Sequence, residues 1–290
     1  MSLPTSIATV PFKRLGSGAQ SRGASLICIA GSGEAGKSRL AAACVRAAPD
    51  WFGTRAAYIA IDPESASLSS ILPQDQANLE VIGLDLGRDV YEQVKAVYNH
   101  NWAAEGITTI ITDTASVLTQ AMLAQFAASG KFAGSRGDQH INIGSGENLP
   151  MPADYQAVNT LFMSLLRRQQ ASGLNHLTLF HDQEVRPEPG QPGDPIGGPA
   201  TVGKASIRTI INWYNTALHL VKRTKRRVDL TKPVEYERVV HTTGHGIWQA
   251  KLRVNDKSRE VPEILMDYDP ASVWTTLNTI INAKDAPAHA

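Results

Sequence analysis

Residues 25–38 read Ser-Leu-Ile-Cys-Ile-Ala-Gly-Ser-Gly-Glu-Ala-Gly-Lys-Ser, and this stretch decides the fold. Its first six residues form a short apolar run bounded by glycine, which is typical of a strand buried inside a parallel sheet. A helix is predicted to follow over 37–48. Outward from this unit, apolar runs predict further buried strands at 57–61, 79–86, 107–112 and 175–180.

Helices are predicted between these strands, because apolar residues recur there at helical spacing. They lie at 90–98, at 115–127, and from 158 to a stop at Gly173. This alternation favours an α/β fold whose twisted sheet is mostly parallel and flanked by helices. Alternating strands are predicted again from about 208 to 254, with a turn at 243–246, and they give the sheet antiparallel strands toward the C-terminus. Asp269-Pro270 opens a final helix.

The chain divides into an N-terminal arm over 1–24, a core over 25–255 and a C-terminal helical tail over 256–290 that packs on the core. The stretch 187–199 holds five prolines and four glycines, which exclude a helix or a central strand there. The basic run at 222–227 is interpreted as a solvated turn. The residues interpreted as core or packing residues are Cys28 and Cys44, and the strand aromatics Trp213, Tyr214 and Trp248.

Charge and composition exclude several classes of protein. The chain has 28 Lys and Arg against 27 Asp and Glu, so its formal net charge is +1. A generic polyanion binder is therefore excluded, and any nucleic-acid contact must come from a local patch. No apolar run approaches about 18 residues, so no membrane partner is expected. Two cysteines cannot form a disulfide framework, and a reducing cytoplasm is the expected compartment.

Residues 31–38 match the pattern G-x-x-x-x-G-K-[ST], which binds phosphates when a strand precedes it and a helix follows. Its glycines let successive backbone N–H groups converge on a phosphate, and the helix N-terminus adds its dipole. Lys37 can reach the β- and γ-phosphates, and the Ser38 hydroxyl can ligate Mg²⁺. The sequence predicts ATP and Mg²⁺ as cofactors, with the nucleotide bound by Gly31, Ser32, Gly33, Glu34, Ala35, Gly36, Lys37, Ser38 and Arg39.

Polar residues follow three of the other predicted strands. Thr109-Ile-Ile-Thr-Asp113 ends in an acid that can orient the water shell of Mg²⁺, so Asp113 is a second candidate metal residue. Ile61-Asp62-Pro63-Glu64 places carboxylates where one can polarise the water that attacks the γ-phosphate. Phe180-His181-Asp182-Gln183 ends the strand before the proline-glycine stretch.

The order of these motifs resembles the RecA family of ATPases over about 25–255. The resemblance implies a RecA-like P-loop NTPase fold in which Glu64, rather than Asp62, activates water. It also implies that a polar residue at the end of the last strand senses the γ-phosphate. Either His181 or Gln183 fits that role, with His181 favoured because it stands first after the apolar run.

Lys251 and Arg253 lie two residues apart on a predicted strand, so both side chains point to one face. They resemble the K-x-R pair that RecA-like recombinases and ring helicases insert into the neighbouring subunit's nucleotide. The resemblance implies a catalytic pair acting between subunits of a homo-oligomer, either a filament or a ring. A solvated basic edge strand remains the alternative interpretation.

Two long loops correspond in place to the DNA-binding loops of the RecA core. Loop 129–152 supplies Lys131, Phe132, Arg136 and His140, while loop 184–203 supplies Arg186 and has Lys204 at its edge. Cations can neutralise phosphates, and an aromatic ring can stack on a base. Acidic residues in the second loop, Glu184, Glu188 and Asp194, depart from this pattern, and plain surface loops remain the alternative.

The size of the chain and its C-terminal K-x-R pair are most similar to compact phage-encoded RecA-like ATPases, some of which are single-strand annealing proteins. The expected function is ATP-dependent binding of single-stranded DNA in recombination or annealing, in the cytoplasm of a bacterium or of a phage-infected host. A single-strand-binding protein is a further expected partner. The alternatives are a ring helicase or motor ATPase, and a nucleotide-dependent protein-binding module.

Overall fold

The computed structural model describes residues 24–61, 66–129, 149–187, 193–202, 207–225, 234–252 and 261–282. The strands in these ranges are β1 (Leu26–Gly31), β2 (Ala56–Ala60), β3 (Leu79–Gly83), β4 (Thr109–Asp113), β5 (Asn175–Phe180), β6 (Asp182–Val185), β7 (Ile196–Pro199), β8 (Thr216–Thr224), β9 (Tyr236–His241) and β10 (Glu263–Met266).

The α-helices in the same ranges are α1 (Lys37–Ala42), α2 (Cys44–Ala47), α3 (Pro49–Phe52), α4 (Ala66–Ser69), α5 (Pro73–Gln76), α6 (Val90–Asn99), α7 (Ala115–Ser129), α8 (Pro152–Ser172), α9 (Ile207–Trp213) and α10 (Ala271–Asn282). A 3₁₀ turn spans Trp102–Glu105. None of the helices in the described ranges combines the length and the apolar character that crossing a bilayer requires.

Eight strands of the described chain form one sheet in the order β10-β9-β8-β1-β5-β4-β2-β3. β1 runs parallel to β5 and β8, and β4, β2 and β3 continue the parallel part beyond β5. β9 and β10 are antiparallel and complete the other end. The predicted fold class is therefore confirmed: a mostly parallel sheet flanked by helices, with antiparallel strands toward the C-terminus.

The strand β1 divides the core into two layers, because successive side chains of a strand point to opposite faces. Ile27 and Ile29 pack on the face covered by α1, α2, α3 and α10. Cys28 and Ala30 pack on the face covered by α6, α7, α8 and α9. Cys28 and Cys44 are both buried free thiols, as predicted.

The C-terminal segment takes part in the sheet as well as in a helix. β10 pairs with β9 at the sheet edge, and α10 buries Val273, Trp274 and Leu277 against the core. The division of the chain at residues 24 and 255 remains a prediction.

The prediction of alternating strands from about 208 to 254 is wrong at its beginning. Residues 207–213 form the helix α9, because Ile207, Ile210 and Ile211 recur at helical spacing and are buried together. Trp213 ends this helix and Tyr214 follows it, so neither aromatic residue lies on a strand.

Two further predictions in this region are wrong. β8 runs unbroken to Thr224, so the basic run that begins at Lys222 starts inside a strand and not in a turn. Residues 249–252 form no strand; Lys251 makes an isolated antiparallel bridge with Ala217, and Trp248 makes bridges with Gly197 and His245. Single bridges replace a continuous ladder in this segment.

Smaller departures occur at two glycine- or alanine-rich places. The helix predicted over 37–48 is divided into α1 and α2, with Ala43 between them. Within the proline-glycine stretch, β7 pairs with β6 in a separate two-stranded sheet. The central sheet excludes both strands, in agreement with the prediction.

Candidate functional site

The turn between β1 and α1 has a backbone that only a glycine-rich sequence adopts easily. Glu34 and Gly36 have φ of 61° and 100°, both in the left-handed region. A Cβ at Gly31 would lie 2.4 Å from the Leu220 carbonyl oxygen of the neighbouring strand β8. A Cβ at Gly36 would lie 2.9 Å from the end of the Met266 side chain. The two glycines therefore allow the loop to lie close to the C-terminal strands.

The Lys37 side chain folds back onto the β1–α1 turn and bonds to its backbone. Its ammonium donates hydrogen bonds to the carbonyl oxygens of Gly31 at 2.8 Å and Ser32 at 2.7 Å. The side chain is buried, and burial lowers the pKa of the Lys37 ammonium while the carboxylates of Asp113 and Asp182 oppose that shift. A buried cation at this place is stabilised further by an anion, as the predicted phosphate would be.

Ser38 and Asp113 meet at the floor of the loop, although they are 75 residues apart in sequence. The Ser38 hydroxyl donates to Oδ2 of Asp113 at 2.5 Å, and the hydroxyl of Tyr58 donates to the same oxygen. The peptide bond from Asp113 to Thr114 is cis. A hydroxyl and a carboxylate are oxygen ligands of the kind Mg²⁺ prefers, so this pair fits the predicted metal. The other described residues include no cluster of three or more His, Cys, Asp or Glu side chains suited to a metal ion.

These residues line a cleft of 570 Å³ at the carboxyl end of the parallel strands. Its walls come from residues 33, 34 and 36–39 of the loop and helix, from Ser67 and Ser70 near α4, and from Thr114 and His181 at strand ends. This volume lies within the usual range for small-molecule sites, about 300–1,000 Å³. In open parallel sheets ligands bind at this edge, so the cleft is the candidate nucleotide site.

The structure separates the two candidates for the phosphate sensor. His181 lines the cleft, and its backbone N–H donates to the Ser116 hydroxyl at 2.9 Å. Burial and then the charge of Lys37 lower the pKa of the His181 imidazole, which favours the neutral ring. Gln183 lies within the β6–β7 hairpin, where its amide donates to the Pro199 carbonyl oxygen at 3.2 Å. Only His181 of the two lines the cleft; the sensing role itself stays a prediction.

Several predicted site residues lie outside the described residues: Asp62 and Glu64, then Lys131, Phe132, Arg136 and His140, and finally Lys204 and Arg253. Their roles stay predictions. Arg186 is described and is exposed, and its guanidinium pairs with Glu184 at 2.5 Å. A neighbouring acid therefore already neutralises part of the charge predicted to contact DNA.

Lys251 lies away from the cleft of its own chain. Its backbone bridges Ala217, which pairs with Cys28 three residues before Gly31 on β1. Its role in another subunit's cleft stays a prediction.

Two basic residues of the site were missed by the sequence interpretation. Arg238 on β9 lines the cleft, and Lys222 on β8 pairs with Glu34 of the loop at 3.0 Å. The bond and charge of Lys222 lower the pKa of Glu34. Arg238 donates to the Glu34 carbonyl oxygen at 3.4 Å, and its Nε is buried with no hydrogen-bond partner in the described part of the chain. The register that pairs Lys222 with Arg238 brings both charges to the loop.

A series of contacts connects the cleft with the β6–β7 hairpin. Asp182 follows His181 directly, and its Oδ2 lies 3.6 Å from Nε2 of His219 on β8. The His219 ring stacks on Trp248 with a centroid distance of 4.5 Å. Trp248 in turn covers Gly197 of β7, where a Cβ would lie 2.3 Å from its ring. The hairpin is thus packed on the strand beside the loop, one residue from the proposed sensor.

Comparison with known proteins gives only distant structural likenesses. No family model and no curated protein matches the sequence. Among solved structures, a KaiC-like protein of the hyperthermophilic archaeon Pyrococcus horikoshii is 9% identical with a TM-score of 0.42, covering 76% of this chain and 78% of its own. The flagellar accessory protein FlaH of Methanocaldococcus jannaschii is 14% identical with a TM-score of 0.40, covering 76% and 77%. These likenesses are too distant to carry a functional inference.

Proposed function

We propose that this chain is a RecA-like ATPase that binds ATP with Mg²⁺ in the cleft and hydrolyses it to ADP and phosphate. The contact that supports this proposal most is the 2.5 Å hydrogen bond from Ser38 to Asp113, because it joins the two motifs predicted to hold the metal. Lys37 lies beside them, held by the loop carbonyls. The arrangement offers a cation, a hydroxyl and a carboxylate on one side of a nucleotide-sized cleft.

Each group has a place in phosphoryl transfer. Bound Mg²⁺ neutralises charge on the β- and γ-phosphate oxygens. Lys37 would stabilise the terminal phosphates, and Arg238 would add a second positive charge in the cleft. Ser38 and Asp113 would hold the metal and its water shell. Glu64 would accept a proton from the attacking water, and His181 would contact the γ-phosphate. The general base and the electrostatic groups are thus separate residues.

Replacing Glu64 tests the hydrolytic step. We expect Glu64→Gln to lower the ATP turnover rate about 10²- to 10⁴-fold, because the amide cannot accept the proton. The measurement is ATP turnover with and without single-stranded DNA, and nucleotide affinity should remain close to that of the unaltered protein. Glu80→Gln, on the exposed face of β3, is the matched control. An unchanged rate in Glu64→Gln would remove Glu64 from this role.

We propose single-stranded DNA as the partner of the loops 129–152 and 184–203. The proposed process is recombination or annealing in the cytoplasm of a bacterium or of a phage-infected host. A single-strand-binding protein is a further proposed partner. The contacts from His181 to the β6–β7 hairpin support a loop that responds to nucleotide. The same fold would equally serve a ring helicase or another motor ATPase.

The pairing of Arg186 with Glu184 favours a second candidate, a nucleotide-dependent protein-binding module. ATP turnover that rises with single-stranded DNA, together with salt-dependent binding, would argue against that candidate.

We also propose that Lys251 and Arg253 act in the cleft of a neighbouring subunit, which requires head-to-tail assembly. Lys251→Ala should then be inactive alone but partly rescued by subunits that carry Lys37→Ala and an intact Lys251. ATP turnover is measured over a range of mixing ratios. Mixtures with Lys225→Ala, an exposed cation that directly follows β8, provide the control. Absence of rescue at every ratio would mean that Lys251 has a structural role.

A further inference from the structure

A buried tyrosine stands behind the proposed metal carboxylate. Tyr58 on β2 is fully buried, and its hydroxyl donates to Oδ2 of Asp113, the oxygen that also accepts from Ser38. We infer that Tyr58 is the residue that positions Asp113 for Mg²⁺. This inference deepens the proposed function and rests on it.

The sheet geometry explains why this tyrosine reaches the carboxylate. β2 lies beside β4, with Tyr58 opposite Ile111 and Ala60 opposite Asp113. The ring of Tyr58 packs in the core layer under α1, on the same face of the sheet as the loop. Its hydroxyl therefore extends along the strand direction to the end of β4. Ser38 and Ser67 also interact with that hydroxyl, so the ring end sits among the polar groups of the cleft floor.

The two hydroxyls on Oδ2 have different tasks. The Ser38 hydroxyl belongs to the motif whose Ser or Thr ligates Mg²⁺, so it is expected to turn toward the metal when nucleotide binds. Tyr58 is rigidly packed and cannot turn in the same way. Of the two donors that the described residues give to this oxygen, Tyr58 is the one left to fix its orientation. Removing a residue that hydrogen-bonds a metal ligand from behind typically lowers metal affinity or activity about 10- to 100-fold.

Tyr58→Phe separates positioning from packing, because it removes the hydroxyl and keeps the ring. The probe is a fluorescent, non-hydrolysable ATP analogue, whose affinity is measured in EDTA and over a series of Mg²⁺ concentrations. We expect the Mg²⁺ concentration that gives half of the metal-dependent effect to rise about 10- to 100-fold, with the affinity in EDTA changed by less than about twofold.

Tyr98→Phe is the matched control. The Tyr98 hydroxyl is also buried, and it bonds at 2.8 Å to Thr112, the residue before Asp113 on β4. It lies in the other core layer, away from the loop. Its loss should leave the Mg²⁺ dependence unchanged. Equal Mg²⁺ dependence in Tyr58→Phe and Tyr98→Phe would overturn the inference and give Tyr58 a purely structural role.

A double variant shows whether Tyr58 acts through Asp113 or through a general loss of folding. In an Asp113→Asn background, adding Tyr58→Phe should cause no further change in Mg²⁺ dependence, since the tyrosine acts through that carboxylate. A further change there would contradict the inference. If the unaltered protein binds the analogue but shows no Mg²⁺ dependence, the inference fails while nucleotide binding stands. If the unaltered protein does not bind the analogue at all, the proposed function fails first.

Discussion

Lys37→Ala is expected to weaken ATP binding and turnover on the order of 10²- to 10³-fold, the effect of removing one preorganised charged donor from a phosphate site. The ammonium lies within the turn, bonded to the carbonyl oxygens of Gly31 and Ser32 at 2.8 and 2.7 Å. Burial of this charge costs free energy and lowers the pKa of Lys37, and the carboxylates of Asp113 and Asp182 oppose that shift. A bound phosphate would offset that cost, and the alanine variant loses this gain entirely.

Isothermal titration with ATP and Mg²⁺, together with steady-state turnover, measures this loss. Lys95→Ala is the control, because Lys95 pairs with Glu92 on the surface of α6 at 2.8 Å and is not among the residues that line the candidate nucleotide cleft. Thermal unfolding of both variants shows whether the turn itself has loosened. Comparable ATP affinity in Lys37→Ala and the unaltered protein would contradict the assignment of residues 31–38 as the phosphate site.

Trp274→Ala is expected to lower the free energy of unfolding by about 3–5 kcal/mol, as for other fully buried aromatic residues. Trp274 has no exposed surface, and its ring meets Phe52 edge-on at a centroid distance of 5.1 Å. Its indole N–H also donates to the Leu40 carbonyl oxygen in α1 at 2.6 Å. Alanine would leave a cavity between α10 and the helix that follows the phosphate loop.

Urea unfolding followed by circular dichroism measures this effect, and a loss of this size is a large share of a typical stability of about 5–15 kcal/mol. Trp213→Ala, a partly exposed tryptophan at the end of α9, should cost markedly less. Trp274→Phe should recover part of the loss, because it restores one aromatic ring but lacks the rest of the indole and its hydrogen bond to Leu40. Equal losses in Trp274→Ala and Trp213→Ala would contradict the central position of α10 in the core.

Much of the parallel part of the fold could be predicted because its signals are local. β1 and β5 carry apolar runs that need burial on both faces, and they appear in the structure close to the predicted bounds. The start of α6 is local as well, because the carboxylate of Asp89, a preferred N-cap residue type, accepts from the Glu92 backbone N–H at 3.0 Å. α9 was missed because its β-branched isoleucines suit a strand equally well in isolation. Burial of one helical face decided between the two.

The site divides in the same way. The spacing of Gly31, Gly36, Lys37 and Ser38 is a property of one short segment, and it predicts a phosphate-binding turn without knowledge of the rest. Asp113 could be expected from its place after an apolar run. The tertiary structure adds the partner of that carboxylate, since Tyr58 reaches it only because β2 lies beside β4.

The glycine-rich turn, the α/β class and most of the parallel strands could be predicted from the chain alone, because each depends on residues that are neighbours along it. Other relations appear only in the folded chain: Lys222 and Arg238 contact the turn, and Tyr58 donates to Asp113. His181 lines the cleft, whereas Gln183 belongs to the hairpin. These relations depend on strand order and register, which are set by the packing of the whole core and which no local pattern contains.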